Sequence, residues 1–128
     1  MSKTILAVDD SASMRQMLGV TLRAAGYQVV EAADGDEALH FARHKRVDLV
    51  LTDVNMPRMD GITLVSELRL LPDYHLTPLL LLTTESSPER KAAGKRAGAT
   101  GWMVKPFDPD QLLATLARVL GNKNAVRA

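Results

Sequence analysis

Four short apolar runs in this chain each end at a polar residue that can take part in chemistry. The runs are Thr4–Val8 before Asp9-Asp10, Leu49–Thr52 before Asp53, Leu79–Leu82 before Thr83-Thr84, and Trp102–Val104 before Lys105-Pro106. Runs of this length, rich in Leu and Val and separated by amphipathic stretches, are typical of buried strands in a parallel sheet. All strands of such a sheet point the same way, and open α/β sheets bind ligands outside the carboxyl ends of their strands. The sequence therefore predicts one pocket that gathers three aspartates, a threonine and a lysine.

The composition narrows the class of protein. A chain of 128 residues predicts a single domain over 1–128, with a core of about 4–120 and a polar C-terminal tail at 122–128. Charged residues make up 24% and the formal net charge is +1, without the clustered positive excess that nucleic-acid binding needs. Cysteine is absent, which excludes disulfides and thiolate metal sites. No apolar stretch approaches the roughly 20 residues of a membrane span, so we expect a cytoplasmic protein that binds neither nucleic acid nor membranes.

The stretches between the runs predict five helices with capping residues at their ends. Serine and aspartate accept hydrogen bonds from the free N–H groups at a helix start, proline fits the first helical position, and glycine ends a helix. The predicted starts are Ser11, Asp34-Gly35, Ser87-Pro88 and Asp108-Pro109, and the predicted ends include Gly26 and Pro72.

These helices differ in how many apolar residues they turn toward the core. The predicted inward residues are Met14, Met17, Leu18, Thr21, Leu22 and Ala25 in the first helix, Ile62, Val65, Leu68 and Leu71 in the third, and Leu112, Leu113, Leu116, Val119 and Leu120 in the fifth. The fourth helix, Ser87–Ala97, offers only alanines and carries Gly94 in its interior, which costs about 1 kcal/mol relative to alanine. We predict that this helix is the least firmly anchored of the five.

Five strands that alternate with five helices predict an α/β fold with a doubly wound parallel sheet. The most hydrophobic strands, Thr4–Val8, Leu49–Asp53 and Leu79–Thr83, are expected at the centre. The partly alternating strand at Tyr27–Ala32 and the Trp102 strand are then expected at the edges. The predicted strand order is 2-1-3-4-5.

The predicted pocket has the residues for aspartyl-phosphate chemistry. Three crowded carboxylates repel one another unless a cation neutralises them, and a small set of oxygen ligands open to water suits Mg²⁺. A carboxylate beside Mg²⁺, with a lysine and a hydroxyl within reach, can attack phosphorus while the cations neutralise the phosphoryl oxygens. Asp53 is the predicted nucleophile because it ends a central strand and leads into a loop. Lys105 is predicted to turn inward at a cis bond to Pro106.

Three other kinds of site are less consistent with the sequence. An aspartyl-phosphate phosphatase would need a carboxylate two residues after the nucleophile, where Asn55 stands and cannot transfer a proton. A flavin or dinucleotide site would place phosphate in the first turn, where Asp9-Asp10 repels it. His40 and His44 are four residues apart and could ligate a metal, but no third ligand is near, and we interpret them as surface histidines.

The residues of the pocket, with Asn55-Met56-Pro57 and Met59-Asp60-Gly61, resemble the receiver domain of two-component response regulators from about Thr4 to Leu120. The end of the chain after the receiver, together with Thr84-Glu85-Ser86 and Gly98–Trp102, is most similar to the stand-alone chemotaxis regulators of the CheY type. The resemblance implies a flavodoxin-like receiver fold, and the strand order given above rests partly on it.

The same resemblance implies a role for each pocket residue. Asp53 would be the phosphoacceptor of a chemotaxis-type histidine kinase, and Thr83 and Lys105 would contact the phosphoryl group. The implied Mg²⁺ ligands are Asp10, Asp53 and the backbone carbonyl of Asn55, with Asp9 acting through a water. The protein would then be a response regulator and not an enzyme, catalysing only its own phosphotransfer and dephosphorylation.

The implied output is a switch of the face formed by the fourth helix, the fifth strand and the fifth helix. Trp102 stands at the position of the switch aromatic, where tyrosine or phenylalanine is commoner, and Glu85 belongs to the same region. Lys91 and Lys95, with Arg96, lend positive charge that could attract an acidic amphipathic peptide. The expected partner is the flagellar motor switch protein, with a phosphatase as a further partner and a monomer as the expected state. A phosphate sink, a non-chemotactic stand-alone adaptor and, more distantly, a Mg-dependent phosphatase stay open as alternatives.

Overall fold

The computed structural model describes residues 2–84 and 86–120, and these contain one five-stranded parallel sheet. The strands are β1 Thr4–Val8, β2 Gln28–Ala32, β3 Leu49–Thr52, β4 Leu79–Thr83 and β5 Gly101–Val104. Their order is β2-β1-β3-β4-β5, which confirms the predicted order. Every residue of β3 and β4 is buried, whereas β2 and β5 include exposed residues, so burial on both faces separates central strands from edge strands as the apolar runs predict.

Five α-helices connect the strands. They are α1 Ala12–Ala24, α2 Gly35–His44, α3 Gly61–Arg69, α4 Pro88–Ala97 and α5 Pro109–Val119, with a short 3-10 turn at Pro72–Tyr74 after α3. The predicted N-caps of α1, α2, α4 and α5 each accept a hydrogen bond from a backbone N–H in the first turn. None of the helices among the described residues is long and apolar enough to cross a bilayer.

The sheet has a hydrophobic layer on each face. One layer packs α2 and α3 against the sheet through residues such as Leu39 and Leu64, together with Tyr74 of the 3-10 turn. The other packs α1 and α5 through Leu22 and Leu116. Helix α4 contributes little to either layer, because Gly94 is its only buried residue. Ala97 is partly buried against the first layer, so the predicted alanine face is confirmed only in part, because the one buried residue is a glycine. The weak anchoring of this helix stays a prediction.

Two predicted helix features differ from the structure. In α1 the stripe that faces the sheet runs through Leu18 and Leu22, so Met17 is 55% exposed and Ala25 is also exposed. Helix α3 ends at Arg69 and not at Pro72. Leu71 adopts an extended ψ of 130°, because the ring of a following proline disfavours the helical conformation in the residue before it.

Candidate functional site at the carboxyl edge of the sheet

Asp9 leaves the end of β1 and is 1% exposed. Its Oδ1 accepts a hydrogen bond from the backbone N–H of Ser11 at 2.9 Å, and its Oδ2 accepts one from Lys105 Nζ at 2.8 Å. Both carboxylate oxygens are therefore engaged, and the side chain is held in one orientation at the start of α1.

Asp53 follows β3 directly and is 8% exposed. Its Oδ1 accepts from the backbone N–H of Val54 at 2.7 Å, and its Oδ2 lies 3.3 Å from Lys105 Nζ. The first turn of α3 approaches the same residue so closely that a Cβ at Gly61 would clash with the backbone oxygen of Asp53. Gly61 is thus required for α3 to begin where it does, beside the end of the strand.

Asp9, Asp10 and Asp53 form a cluster of carboxylates. Each offers an oxygen, and these three oxygens lie within 4.8 Å of one another, with Asp9 and Asp53 buried and Asp10 exposed. Oxygen-only ligands at partly open sites suit Mg²⁺, so the donor set fits that ion. The predicted convergence of the three aspartates is confirmed as geometry.

Lys105 joins the cluster from β5, and its side chain is 12% exposed. The peptide bond to Pro106 is cis, as predicted. Burial by itself lowers the pKa of Lys105, but the hydrogen bond to Asp9 and the charges of Asp53 and Asp9 raise it more, so the net pKa lies above its ordinary value. The ammonium therefore stays charged and is the cation that offsets the crowding of Asp9 and Asp53.

The remaining predicted pocket residues lie at the same edge. Thr83 ends β4, is fully buried, and accepts a hydrogen bond on its backbone oxygen from Lys105 N at 2.9 Å. Asn55 is exposed on the loop after Asp53. Glu85, predicted to belong to the switch region, lies outside the described residues.

Sequence reasoning missed the contacts of two arginines, one beside the cluster and one on the loop after Asp53. Arg15 was not expected there, yet its Nη1 donates to the backbone oxygen of Asp9 at 2.6 Å, and its Nε lies 3.8 Å from Glu31. Arg58 lies on the loop after Asp53 with a φ of 68°, and it pairs with Asp34 at 2.8 Å. The position of Arg15 four residues after the N-cap Ser11 is the one sequence signal that could have indicated a contact with the strand end.

The predicted switch residues border two grooves next to β5. The first, here called the α4–β5 groove, has a volume of about 340 Å³ and is lined by Lys91, Lys95, Ala99, Thr100, Gly101 and Trp102. Lys91 and Lys95 are exposed, and Trp102 is half-buried. Trp102 also lines a larger groove of about 510 Å³ between β5 and α5. The indole therefore lies at the boundary of both surfaces.

Comparison with known proteins places this geometry in a family. The response regulator receiver domain matches residues 5–117. The structure of the chemotaxis response regulator CheY4 of Vibrio cholerae is similar, with 55% identity, a TM-score of 0.88, and coverage of 93% of this chain and 99% of that chain. The receiver domain of the sensor histidine kinase PA1611 of Pseudomonas aeruginosa PAO1, solved with a magnesium ion coordinated in its active site cleft, is 29% identical with a TM-score of 0.88, over 94% of this chain and 99% of that chain.

Curated relatives include longer proteins. The alkaline phosphatase synthesis transcriptional regulatory protein PhoP of Bacillus subtilis (strain 168) is 38% identical over 120 residues, which are 94% of this chain and 49% of that protein. The chain spans about half the length of the curated relatives it matches. Similarity to these regulators therefore concerns their receiver part.

Proposed function

The chain belongs to the response regulator receiver domain family, and on this basis we propose that Asp53 is its phosphoacceptor. We further propose that the chain forms a single receiver domain over 1–128, with a core of about 4–120. The donor would be a histidine kinase of the chemotaxis type. The reaction would depend on Mg²⁺ and would take place in the cytoplasm. Receivers of this family are signalling proteins that phosphorylation activates, so the chemistry serves to change a binding surface.

One observation carries the proposal. The carboxylates of Asp9, Asp10 and Asp53 lie together, and the charged ammonium of Lys105 is 2.8 Å from Asp9 and 3.3 Å from Asp53. Asp53 follows β3, the middle strand of the five, and its Oδ1 is fixed by the backbone N–H of Val54. Asp9 is the poorer candidate, because both of its carboxylate oxygens accept hydrogen bonds. A fixed carboxylate beside a cation is suited to attack on phosphorus.

The proposed step forms one bond and breaks one. A carboxylate oxygen of Asp53 attacks phosphorus while the phosphorus–nitrogen bond to the kinase histidine breaks, and the electron pair stays on the imidazole nitrogen. Lys105 neutralises part of the charge on the transferred group, and the Thr83 hydroxyl hydrogen-bonds one of its oxygens. Asp10, Asp53 and the Asn55 carbonyl, with Asp9 through a water, would hold Mg²⁺, which would supply further positive charge to the same oxygens.

The nucleophile is tested by Asp53→Asn, which keeps the shape of the side chain and removes the attacking carboxylate. We expect labelling from ³²P-acetyl phosphate, or from a phosphorylated chemotaxis kinase, to be lost in this variant. Asp73→Asn is the matched control, because Asp73 is an exposed aspartate in the 3-10 turn after α3. Its labelling should equal that of the wild type. EDTA should abolish labelling of both the wild type and the control. Undiminished labelling of Asp53→Asn would assign the site to another residue.

The proposed partner surface is the face of α4, β5 and α5, and the expected partner is the flagellar motor switch protein. The exposed ammonium groups of Lys91 and Lys95 border the half-buried Trp102 in the α4–β5 groove. Positive charge beside an apolar ring favours an acidic amphipathic peptide. The similarity to a chemotaxis regulator over nearly the whole chain is consistent with this partner.

A binding experiment separates these outputs. We expect immobilised motor switch protein to retain the phosphorylated protein and to release it after dephosphorylation. Lys91→Glu should weaken retention, and Lys45→Glu, an exposed lysine at the end of α2, should not. Retention of neither form would favour the sink or adaptor alternatives, and equal retention of both forms would contradict a binding surface that phosphorylation switches.

A further inference from the structure

Helix α4 contacts the sheet through a glycine. A Cβ at Gly94 would lie 2.9 Å from Leu81 Cδ1, and 3.1 Å and 3.2 Å from Cζ3 and Cε3 of Trp102. Leu81 and Trp102 are neighbours in the register of β4 and β5, so the two side chains share one face of the sheet under α4. The missing side chain at Gly94 therefore provides the space that the six-membered ring of the indole occupies.

The two ends of α4 are held unequally. At its C-terminal end, Arg69 Nε donates to the backbone oxygen of Gly98 at 3.0 Å, and Arg69 Nη2 lies 3.3 Å from Thr100 Oγ1. At its N-terminal end, Arg90 Nη2 lies 3.7 Å from Asp60 Oδ2, with both side chains more than a third exposed. Between these ends Gly94 is the one buried residue of α4, and it packs against Leu81 and Trp102.

We propose that Gly94 is a positioning residue: it leaves room for the indole of Trp102 to pack against α4, and this packing opposes movement of the indole toward Thr83. This inference rests on the proposed function, in which the switch must break the contact between Gly94 and the indole. A phosphoryl group on Asp53 draws the Thr83 hydroxyl toward it and opens space beneath the following loop. The indole then moves away from Gly94. Because α4 is held mainly at its C-terminal end, the helix can shift and change the shape of the α4–β5 groove.

The contact is tested first by its effect on stability. If helix propensity alone acted, Gly94→Ala would stabilise α4. Ala92→Gly, the reverse change at an exposed position of the same helix, is the control and should destabilise it. With Trp102 present we expect Gly94→Ala to lower the urea midpoint instead, because the new methyl meets both the indole and Leu81 Cδ1. In a Trp102→Tyr background we expect Gly94→Ala to lower the midpoint by clearly less, because tyrosine has no atoms equivalent to Cε3 and Cζ3 and only the contact with Leu81 is left. The same shift in both backgrounds would overturn the proposed role of Gly94.

The link to the switch is tested with beryllofluoride and Mg²⁺, which mimic the phosphoryl group. If beryllofluoride binding requires the indole to move away from Gly94, then Gly94→Ala destabilises only the unbound form, in which the indole contacts residue 94. We expect it to tighten beryllofluoride binding by about threefold or more, a coupling typical of residues in contact. In the Trp102→Tyr background Gly94→Ala should leave the affinity unchanged. Affinity measured by calorimetry that is unchanged or weaker in Gly94→Ala would contradict the inference.

The two proposals fail in different ways. A wild-type protein that binds no beryllofluoride, or an Asp53→Asn variant that binds it equally well, overturns the proposed function and with it the switching role of the contact. Normal binding at Asp53 with the same affinity in Gly94→Ala overturns the inference alone. Trp102 fluorescence gives a second readout, because an indole that moves away from Gly94 changes emission in the wild type and not in Asp53→Asn.

Discussion

Arg58 is the one residue other than glycine with a positive φ among residues 2–84 and 86–120, at 68°. It lies on the loop after Asp53, between Pro57 and Met59. The backbone N–H of Met59 donates to the backbone oxygen of Pro57 at 2.8 Å, which closes a tight turn at Arg58. Its guanidinium pairs with Asp34, the N-cap of α2, at 2.8 Å, and lies 3.8 Å from Asp36. A left-handed backbone is unfavourable for residues with a Cβ, so the loop beside the proposed phosphoacceptor holds a strained residue.

Two substitutions at this position separate backbone strain from the ion pairs. Arg58→Ala and Arg58→Gly both remove the contacts with Asp34 and Asp36, but only glycine adopts a φ of 68° without a steric cost. We expect Arg58→Gly to be more stable than Arg58→Ala by about 1 kcal/mol in urea unfolding, which is the reverse of the order in a helix. An alanine variant that is equally or more stable would mean that this loop does not hold the left-handed conformation.

Tyr74, in the 3-10 turn after α3, joins elements that are distant in the sequence. Its hydroxyl accepts a hydrogen bond from Val47 N at 3.2 Å, and it lies 3.1 Å from Ala42 O and 3.2 Å from Lys45 O, to one of which it donates. Arg69 Nη1 donates to Tyr74 O at 2.6 Å and to Thr77 O at 2.7 Å. The end of α2 and the segment that leads into β4 are thus held by one phenol and one guanidinium.

Removing that hydroxyl should destabilise the protein. Tyr74→Phe leaves the buried N–H of Val47 without its acceptor, and we expect a loss of about 1–3 kcal/mol in the free energy of unfolding. Tyr27→Phe is the matched control, because Tyr27 precedes the edge strand β2 and is only partly buried. Its effect should stay within about 0.5 kcal/mol. Equal losses in both variants would show that the hydrogen bonds of Tyr74 contribute nothing specific.

At the scale of the whole molecule, three side chains, Tyr27, Tyr74 and Lys105, have a higher pKa in the folded protein than in the unfolded chain. Burial raises the pKa of Tyr74 and of Tyr27 above their ordinary values. The pKa of Lys105 is also raised, since its carboxylate partners outweigh the opposing effect of burial. For each group the resulting stabilisation is complete below the unfolded pKa, about 10, and is lost as the pH rises through the higher folded value.

We therefore expect stability to fall in alkali. The urea midpoint should change little below about pH 9 and should decrease as the pH rises above about 10. The decrease should be shallower in Tyr74→Phe, which lacks one of the groups. A midpoint that rises with pH in this range, or an equally steep decrease in Tyr74→Phe, would contradict the assignment of raised pKa values.

Much of this architecture follows from local sequence patterns. Strands buried on both faces are mostly apolar, and this property distinguishes β3 and β4 from the edges of the sheet. Helix starts depend on a side chain and an N–H within three residues, so Ser11 and Asp108 could be identified without tertiary information. The convergence of Asp9 and Asp53 follows from parallel strands, whereas the catalytic roles of these residues stay predictions.

Other features were decided only by the tertiary structure. Met17 was expected to face inward, and it is exposed because the exact rotation of α1 depends on its packing against the sheet. The contacts of Gly94 with Trp102, of Arg69 with Gly98 and of Tyr74 with Val47 join residues from different elements. Periodicity determines which residues can be buried or can end an element. The partner of each side chain depends on the distance and rotation of the packed elements, which local patterns do not specify.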